Sequence, residues 1–432
     1  MVNGMKLEDL LMEIEAKKGE LVELTRRLIQ IPSENKPPMG YEKEAQEYWA
    51  EKQRELGLTV DLFTPDEVPD ITQHPAYLKG RIYEDRPNVV SKLKGCGGGK
   101  SIILTGHMDT SPKEPLPWGI HGPFGGDLED GKIYGRGGFD MKGGLAASYM
   151  AVKAIVDAGI RLKGDVYLES VVDEEYGGAN GTLACRLKGY EADAAILTEC
   201  SCLAICPATR GDKNWKITLK GTPGMPYTGE LPTNPVYGMA KIIQALRNYE
   251  EIRNEKTRRH PLYVEDPNPL PVLIKKLKAG EVEPHGALGI PIDCWLLVGP
   301  QVYPGTSEEE FDREFFSFME AVVNTDPELR RNPPTYESMF RYVEPTEIDR
   351  NHPIVKQVEK AFTLVTGKPA VVKGAPFPCD AFIFNKYSKT PVLVFGPGGA
   401  NAHAPDEYVY VEDLLTLTKT LAASIVEWCE TA

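Results

Sequence analysis

Apolar residues near the start of the chain recur at intervals of three and four: Leu10, Leu11, Ile14, Leu21, Leu24, Leu28 and Ile29. That spacing puts them on one face and predicts an amphipathic helix over 6–31. Pro32 ends it, because the residue before a proline is pushed out of helical geometry. A second helix is predicted over 42–56, with strands over 58–63 and 88–92. From Ile102 the pattern becomes short apolar runs separated by helical stretches: strand 102–105, helix 145–158, strand 166–172, helix 182–188, strand 194–197. This β-α-β-α alternation predicts an α/β domain. A second alternation closes the chain, with helix 353–366, strands 370–372 and 391–395, and helix 411–428. Between the two, strands 214–219 and 291–297 with helices 235–249 and 308–323 predict a separate, smaller α/β unit. The expected organisation is 1–210 and 327–432 as two parts of one domain, with 211–326 inserted. The Pro- and Lys-rich stretch Glu265–Pro284 is expected to be a surface loop.

Composition narrows the function classes. With 432 residues there is room for two or three domains. A net charge of −14 argues against nucleic acid and anionic membrane as partners. No apolar run is long enough to span a bilayer, and no basic-then-apolar leader opens the sequence, so the cytoplasm is the expected compartment. The eight cysteines are scattered. Cys200, Cys202 and Cys206 lack the paired spacing of a thiolate zinc site and are read as small packing residues. Gly95 to Ser101 lacks the first glycine of a phosphate-binding loop and is read as a turn.

The candidate chemistry centres on Gly135-Arg136-Gly137-Gly138-Phe139-Asp140-Met141-Lys142-Gly143-Gly144. It sets one carboxylate among five glycines, between a strand-like and a helix-like run. Around it in the sequence stand His107 and Asp109, the run Asp173-Glu174-Glu175, then Glu199, and finally His403. Singly, each has a plain structural reading: a hydrogen-bonded pair, a solvated acidic run, a strand end, a turn. Together, at the ends of successive strands, they predict a two-metal hydrolytic centre. Such a centre needs a bridging carboxylate, further ligands for each metal and a base, with the metals roughly 3.5–4 Å apart and sharing a water. Asp140 is read as the bridge. His107 and Asp109 share a strand face, so Asp109 is expected to orient the imidazole. Glu174 and Glu175 should diverge, one reaching metal and the other left basic.

This set resembles the co-catalytic zinc metallopeptidases that include acetylornithine deacetylase, succinyl-diaminopimelate desuccinylase, aminoacylase and carboxypeptidase G. The resemblance rests on Gly106-His-Met-Asp109, Tyr134 to Lys142, Glu174-Glu175 with Gly178 and Gly181-Thr182, Glu199, and His403-Ala-Pro-Asp-Glu-Tyr408. It implies a mixed-sheet zinc-peptidase-like catalytic domain with an inserted α+β lid that often mediates dimerisation. It implies that His107 and Glu199 bind one metal, Glu175 and His403 the other, and Asp140 both. Zinc is expected, with cobalt or manganese as alternatives. Glu174 would be the general acid/base and Asp109 the support of His107. A cis peptide is implied at Asp140–Met141.

The inserted unit departs from that pattern. Met225 stands where the family has a His, Leu288 where it has an Asn, and Gln301 where an Arg binds the substrate carboxylate. Losing that Arg removes a bidentate, charge-assisted clamp. The expected substrate is therefore a less polar or aromatic amide or other C–N compound. Met225, Trp215, Trp295, Tyr303 and Tyr227 are candidates for an apolar wall, Arg210 or His121 for the missing polar contact, and Asp380 for a supporting role near the site. The alternatives are an ordinary N-acyl-amino-acid deacylase or dipeptidase, and a metal-bound binding protein. An intact Glu174 opposes the last, since a non-enzyme has no need of a base there.

Overall fold

The computed structural model describes residues 7–113, 117–222, 225, 227, 229, 232–280 and 289–432. The chain divides into two compact units. The first comprises 1–208, 347–375 and 379–432, and the second 209–346 with 376–378. The return crossing thus lies beyond the 326/327 boundary expected from sequence. The reason is that Thr335–Ser338 pairs antiparallel with Trp215–Lys220 and so belongs to the inserted sheet.

The first unit is built on a large mixed sheet. Its strands run in the order Ile205–Thr209, Val392–Val394, Ala194–Leu197, Ile102–His107, Val166–Val171, Asn88–Leu93, Thr59–Phe63. The middle four are parallel, and antiparallel neighbours flank them. All six residues of Ile102–His107 are buried, as expected of a strand covered on both faces. Helix Gly143–Asp157 is apolar around most of its circumference and buried along nearly its whole length. Helix Val411–Trp428 packs on it and on helix Pro353–Thr366. Gly144 permits a close approach: a Cβ there would meet the Thr198 carbonyl oxygen at 2.1 Å. The single helix predicted over 6–31 is two, Leu7–Ala16 and Lys18–Gln30. They break at Lys17 (φ −94°, ψ 14°), just before the weak helix former Gly19.

The second unit is an antiparallel sheet in which Asp293–Val302 lies between Trp215–Lys220 and Val272–Ala279. Helices Pro235–Lys256 and Glu308–Thr325 complete its core with Leu246, Tyr249, Phe311 and Phe315. Part of the loop expected over Glu265–Pro284 is therefore a strand, Val272–Ala279, with an irregularity between Ile274 and Lys276. Its exposed lysines hid the pattern, since charged residues are what edge strands carry.

Candidate metal centre

The C-terminal ends of parallel strands gather the sequence-distant residues on one edge of the sheet, where α/β folds place their chemistry. Strand Ile102–His107 ends in His107, and Val166–Val171 runs on to Asp173, Glu174 and Glu175. Ala194–Leu197 runs on to Glu199, and the segment after Val392–Val394 carries His403. Asp140 follows a turn with Gly137 at φ +81° and precedes helix Gly143–Asp157. The peptide Asp140–Met141 is cis.

Asp140 lies between the two imidazoles. Its Oδ1 is 3.2 Å from Nε2 of His107, and its Oδ2 is 3.2 Å from Nε2 of His403. Glu199 Oε1 faces His107 Nε2 at 3.1 Å, and Glu175 Oε2 faces His403 Nε2 at 2.7 Å. Glu174 is nearby but farther back, its Oε2 being 3.9 Å from His107 Nε2. Possible ligand atoms of His107, Glu174 and Glu199 fall within 4.8 Å of one another, as do those of Asp140, Glu175 and His403.

The protonation preferences follow from this crowding. Burial pulls the His107 pKa down, but the Glu199 and Asp140 carboxylates raise it well above the ordinary value. Glu175, then Asp140, does the same for His403. Asp140 loses hydration, yet the two imidazoles hold it far below the usual carboxylate range. Burial raises Glu174 and Glu199, partly opposed by His107. Four acidic side chains around two imidazoles leave buried negative charge that divalent cations would neutralise. Imidazole nitrogen with carboxylate oxygen is also a donor set that zinc accepts. The residues therefore fit a cation pair.

Asp109 meets His107 through its backbone more closely than through its carboxylate. The Nδ1 of His107 is satisfied by the backbone carbonyl of Asp109 at 2.8 Å, while the Asp109 carboxylate is 3.7 Å away. That carboxylate instead accepts from the backbone N–H groups of Glu174 (3.0 Å) and Glu175 (3.1 Å), and from Nδ2 of Asn35 (2.9 Å). It fixes the turn carrying Glu174. The turn is also held at Asp173, which adopts φ +67° and accepts from Tyr83 Oη at 2.6 Å.

Two residues went unassigned in the sequence reading. Glu407 is buried, pairs with Arg136, and accepts from the backbone N–H groups of Phe139 and Asp140, both at 3.1 Å. It anchors the glycine-rich turn, and its place in the His403–Tyr408 motif was the available signal. Asn35 had none.

The remaining candidates fall in varied places. Asp380 is buried and accepts from Thr182 Oγ1. Burial lifts its pKa to about 7, against the Thr182 bond and His107. His121 stacks on Tyr134 with its ring nitrogens facing Asp127 and Glu129. In the second unit, Arg210 donates to Gln301 Oε1 at 3.0 Å and pairs with Asp266. Trp215 and Tyr303 are buried in that unit, Trp215 against Phe315. Met225 and Tyr227 are exposed, whereas Leu288 lies outside the described residues.

The sequence profile of peptidase family M20/M25/M40 matches residues 103–427. The chain belongs to this family. It is 30% identical, over 98% of its length and 97% of the relative's, to N-formyl-4-amino-5-aminomethyl-2-methylpyrimidine deformylase of Halalkalibacterium halodurans. Among solved structures it resembles human carnosine dipeptidase 1 (TM-score 0.75, 16% identity, 98% and 100% of the two chains). It also resembles a dinuclear metal-binding M20 peptidase of Bacillus subtilis (TM-score 0.60, 16% identity, 97% and 100% of the two chains). At those identities the structures establish the M20 fold. As a member of the family, the chain is a metal-dependent hydrolase of C–N bonds with groups suited to divalent cations. Among the described residues no helix is long and apolar enough to cross a membrane.

Proposed function

We propose that the chain is a dinuclear zinc amidohydrolase that removes a formyl or similarly small acyl group from the amine of a neutral heteroaromatic compound. The observation that carries this reading is the pair of carboxylate–imidazole groups sharing Asp140, with Glu174 set back beside them. His107 and Glu199 would hold one cation, Glu175 and His403 the other, and Asp140 both. When bound, such cations polarise the scissile carbonyl and acidify a water molecule. Glu174 takes the proton from the attacking water and delivers it to the leaving nitrogen. Burial, with Asp380 and Glu199 nearby, raises its proton affinity, which suits a group that must hold a proton for part of the cycle. Asp109 keeps that carboxylate aimed by fixing its backbone.

The substrate class is supported by the relative's name and by the second unit. Gln301 stands where a carboxylate-binding Arg would, and the neighbouring Arg210 is already paired with Asp266. The exposed Leu273 and Leu277 of strand Val272–Ala279 support a homodimer formed through this unit by burial of apolar side chains, not by edge pairing, which the strand's lysines oppose. The test is formate or acid release by the zinc-loaded protein from N-formylated aminomethylpyrimidines, N-acyl amino acids and dipeptides. The formamide should show the highest kcat/KM, and Glu174→Gln should lower kcat by about 10²–10⁴ at unchanged metal content. Preferential turnover of N-acyl amino acids would overturn the substrate assignment, and an active Glu174→Gln protein would remove the base.

A further inference from the structure

We propose that Tyr83 and Arg81 are positioning residues for the hydrolysis, gripping the chain on either side of Glu174 and Glu175 and so setting the direction of the base. The inference rests on the reading of Glu174 as that base. Both residues belong to the segment 77–86, which runs between the short 3₁₀ turn Ile71–Gln73 and strand Asn88–Leu93. Before the glutamate pair, Tyr83 Oη donates to Asp173 Oδ2 at 2.6 Å. The same hydroxyl accepts from Nδ2 of Asn180 at 2.7 Å. That amide also makes a reciprocal pair of bonds with the backbone of Leu78, at 2.9 and 2.8 Å. After the glutamate pair, Arg81 Nη2 donates to the backbone carbonyl of Tyr176 at 3.0 Å, and its Nε lies 3.5 Å from Asp173 Oδ1. Arg86, bound to Glu42 through two nitrogens, brings Nη2 to 3.4 Å from the same oxygen.

The need for this grip lies in the turn itself. Asp173 sits at φ +67°, a left-handed conformation that persists where the surroundings over-determine it. The chain then folds back so tightly that a Cβ on Gly178 would meet the Asp173 carbonyl oxygen at 1.8 Å. Asp109 holds the N–H groups of Glu174 and Glu175. The segment 77–86 holds what lies on either side of them, the Asp173 carboxylate and the Tyr176 carbonyl. Tyr83 is wholly buried and the Arg81 side chain nearly so, which shields these bonds from competing water. Losing a donor here lets the residue before the base leave its left-handed conformation, and a displacement near 1 Å costs about 100-fold in rate. A similar hydroxyl elsewhere in the unit has no such lever. Tyr149 Oη donates to the backbone carbonyl of Lys52 at 3.1 Å and joins helix Gly143–Asp157 to helix Lys43–Glu55.

The test compares Tyr83→Phe, Arg81→Met and Tyr149→Phe in the full chain at matched zinc content, on the N-formylated aminomethylpyrimidines, N-acyl amino acids and dipeptides named above. Amide hydrogen exchange, followed by mass spectrometry, is measured alongside without substrate. Tyr83→Phe should lower kcat roughly 10–100-fold at unchanged KM and should speed exchange in a peptide covering 173–177. Arg81→Met keeps the apolar stem but not the donor. It should act in the same direction, and it is read in place of Tyr83→Phe if circular dichroism shows that variant to be misfolded. Tyr149→Phe should keep wild-type kcat and wild-type exchange at 173–177. Wild-type kcat in Tyr83→Phe, unchanged exchange at 173–177, or exchange quickened equally throughout the chain would overturn the positioning role. A Glu174→Gln protein with wild-type kcat would instead overturn the base. Exchange needs no turnover, so it decides the positioning role by itself where none of the compounds reacts.

Discussion

Replacing Asp109 separates two ways in which it might serve the centre. If its carboxylate oriented His107, the charge would matter most. The structure gives it three donors instead: the N–H groups of Glu174 and Glu175 and the amide of Asn35, at 3.0, 3.1 and 2.9 Å. Asp109→Ala takes this acceptor from all three donors, two of them part-buried backbone N–H groups, while Asn35 Nδ2 keeps a second acceptor in Asp173 Oδ1 at 3.1 Å. Each hydrogen bond to a charged group is worth about 1.5–3 kcal/mol. Water entering the vacated space would recover part of this, so a stability loss of about 3 kcal/mol is expected. The turn carrying Glu174 would also loosen, and a displacement near 1 Å costs about 100-fold in rate. Asp109→Asn keeps one acceptor oxygen, and the three closest of these bonds share Oδ2. The asparagine variant should therefore stay within about tenfold of wild-type kcat, while the alanine variant falls roughly 100-fold. Denaturant unfolding and steady-state kinetics at matched zinc content measure both. An asparagine variant as impaired as the alanine one would refute the argument, because the charge rather than the hydrogen-bond geometry would then be decisive.

Glu407→Gln breaks the buried pair with Arg136 and weakens the anchor of the Asp140 turn. Loss of one partner of a buried pair costs about 3–5 kcal/mol, and zinc affinity should drop roughly 10–100-fold, as for other groups that orient a ligand. Thermal unfolding and zinc titration read the two effects, and unchanged zinc affinity would argue that Asp140 is held by other contacts. Metal uptake should be proton-linked. Nearby carboxylates raise the proton affinities of His107 and His403 in the metal-free chain, and a protonated imidazole cannot ligate. Apparent zinc affinity should accordingly rise with pH through and above the ordinary histidine range. Calorimetry in buffers of different ionisation enthalpy should show protons released on binding, and binding independent of both pH and buffer would contradict this.

What could be read beforehand follows the physics of each feature. Continuous apolar runs such as Ile102–Leu104 and Ala194–Leu197 have few alternatives to buried strands. Helices Pro353–Thr366 and Val411–Trp428 were legible to the residue because proline and a clear apolar period mark them. Val272–Ala279 was not, because an edge strand loaded with lysine carries no buried face to write a period. The insertion's far boundary was missed for a related reason. Thr335–Ser338 is short and mostly exposed, and only its partner Trp215–Lys220 makes it a strand.

At the centre the same division separates side chains from backbone. A carboxylate or imidazole among glycines leaves a mark in the residue string, so His107, Asp140, Glu174, Glu175, Glu199 and His403 could be grouped in advance as one candidate set, and the structure brings them together. The work of Asp109 is done on the N–H groups of the turn after Val171, and residue type carries no record of where an N–H points. Asn35 and Glu407 act in the same way, through amides in loops that only the folded sheet brings near them. The proposed ligands answer to the chemistry of cations, which recurs and can be recognised. The residues that aim them answer to the path of the backbone, which becomes visible only once the strands are laid side by side.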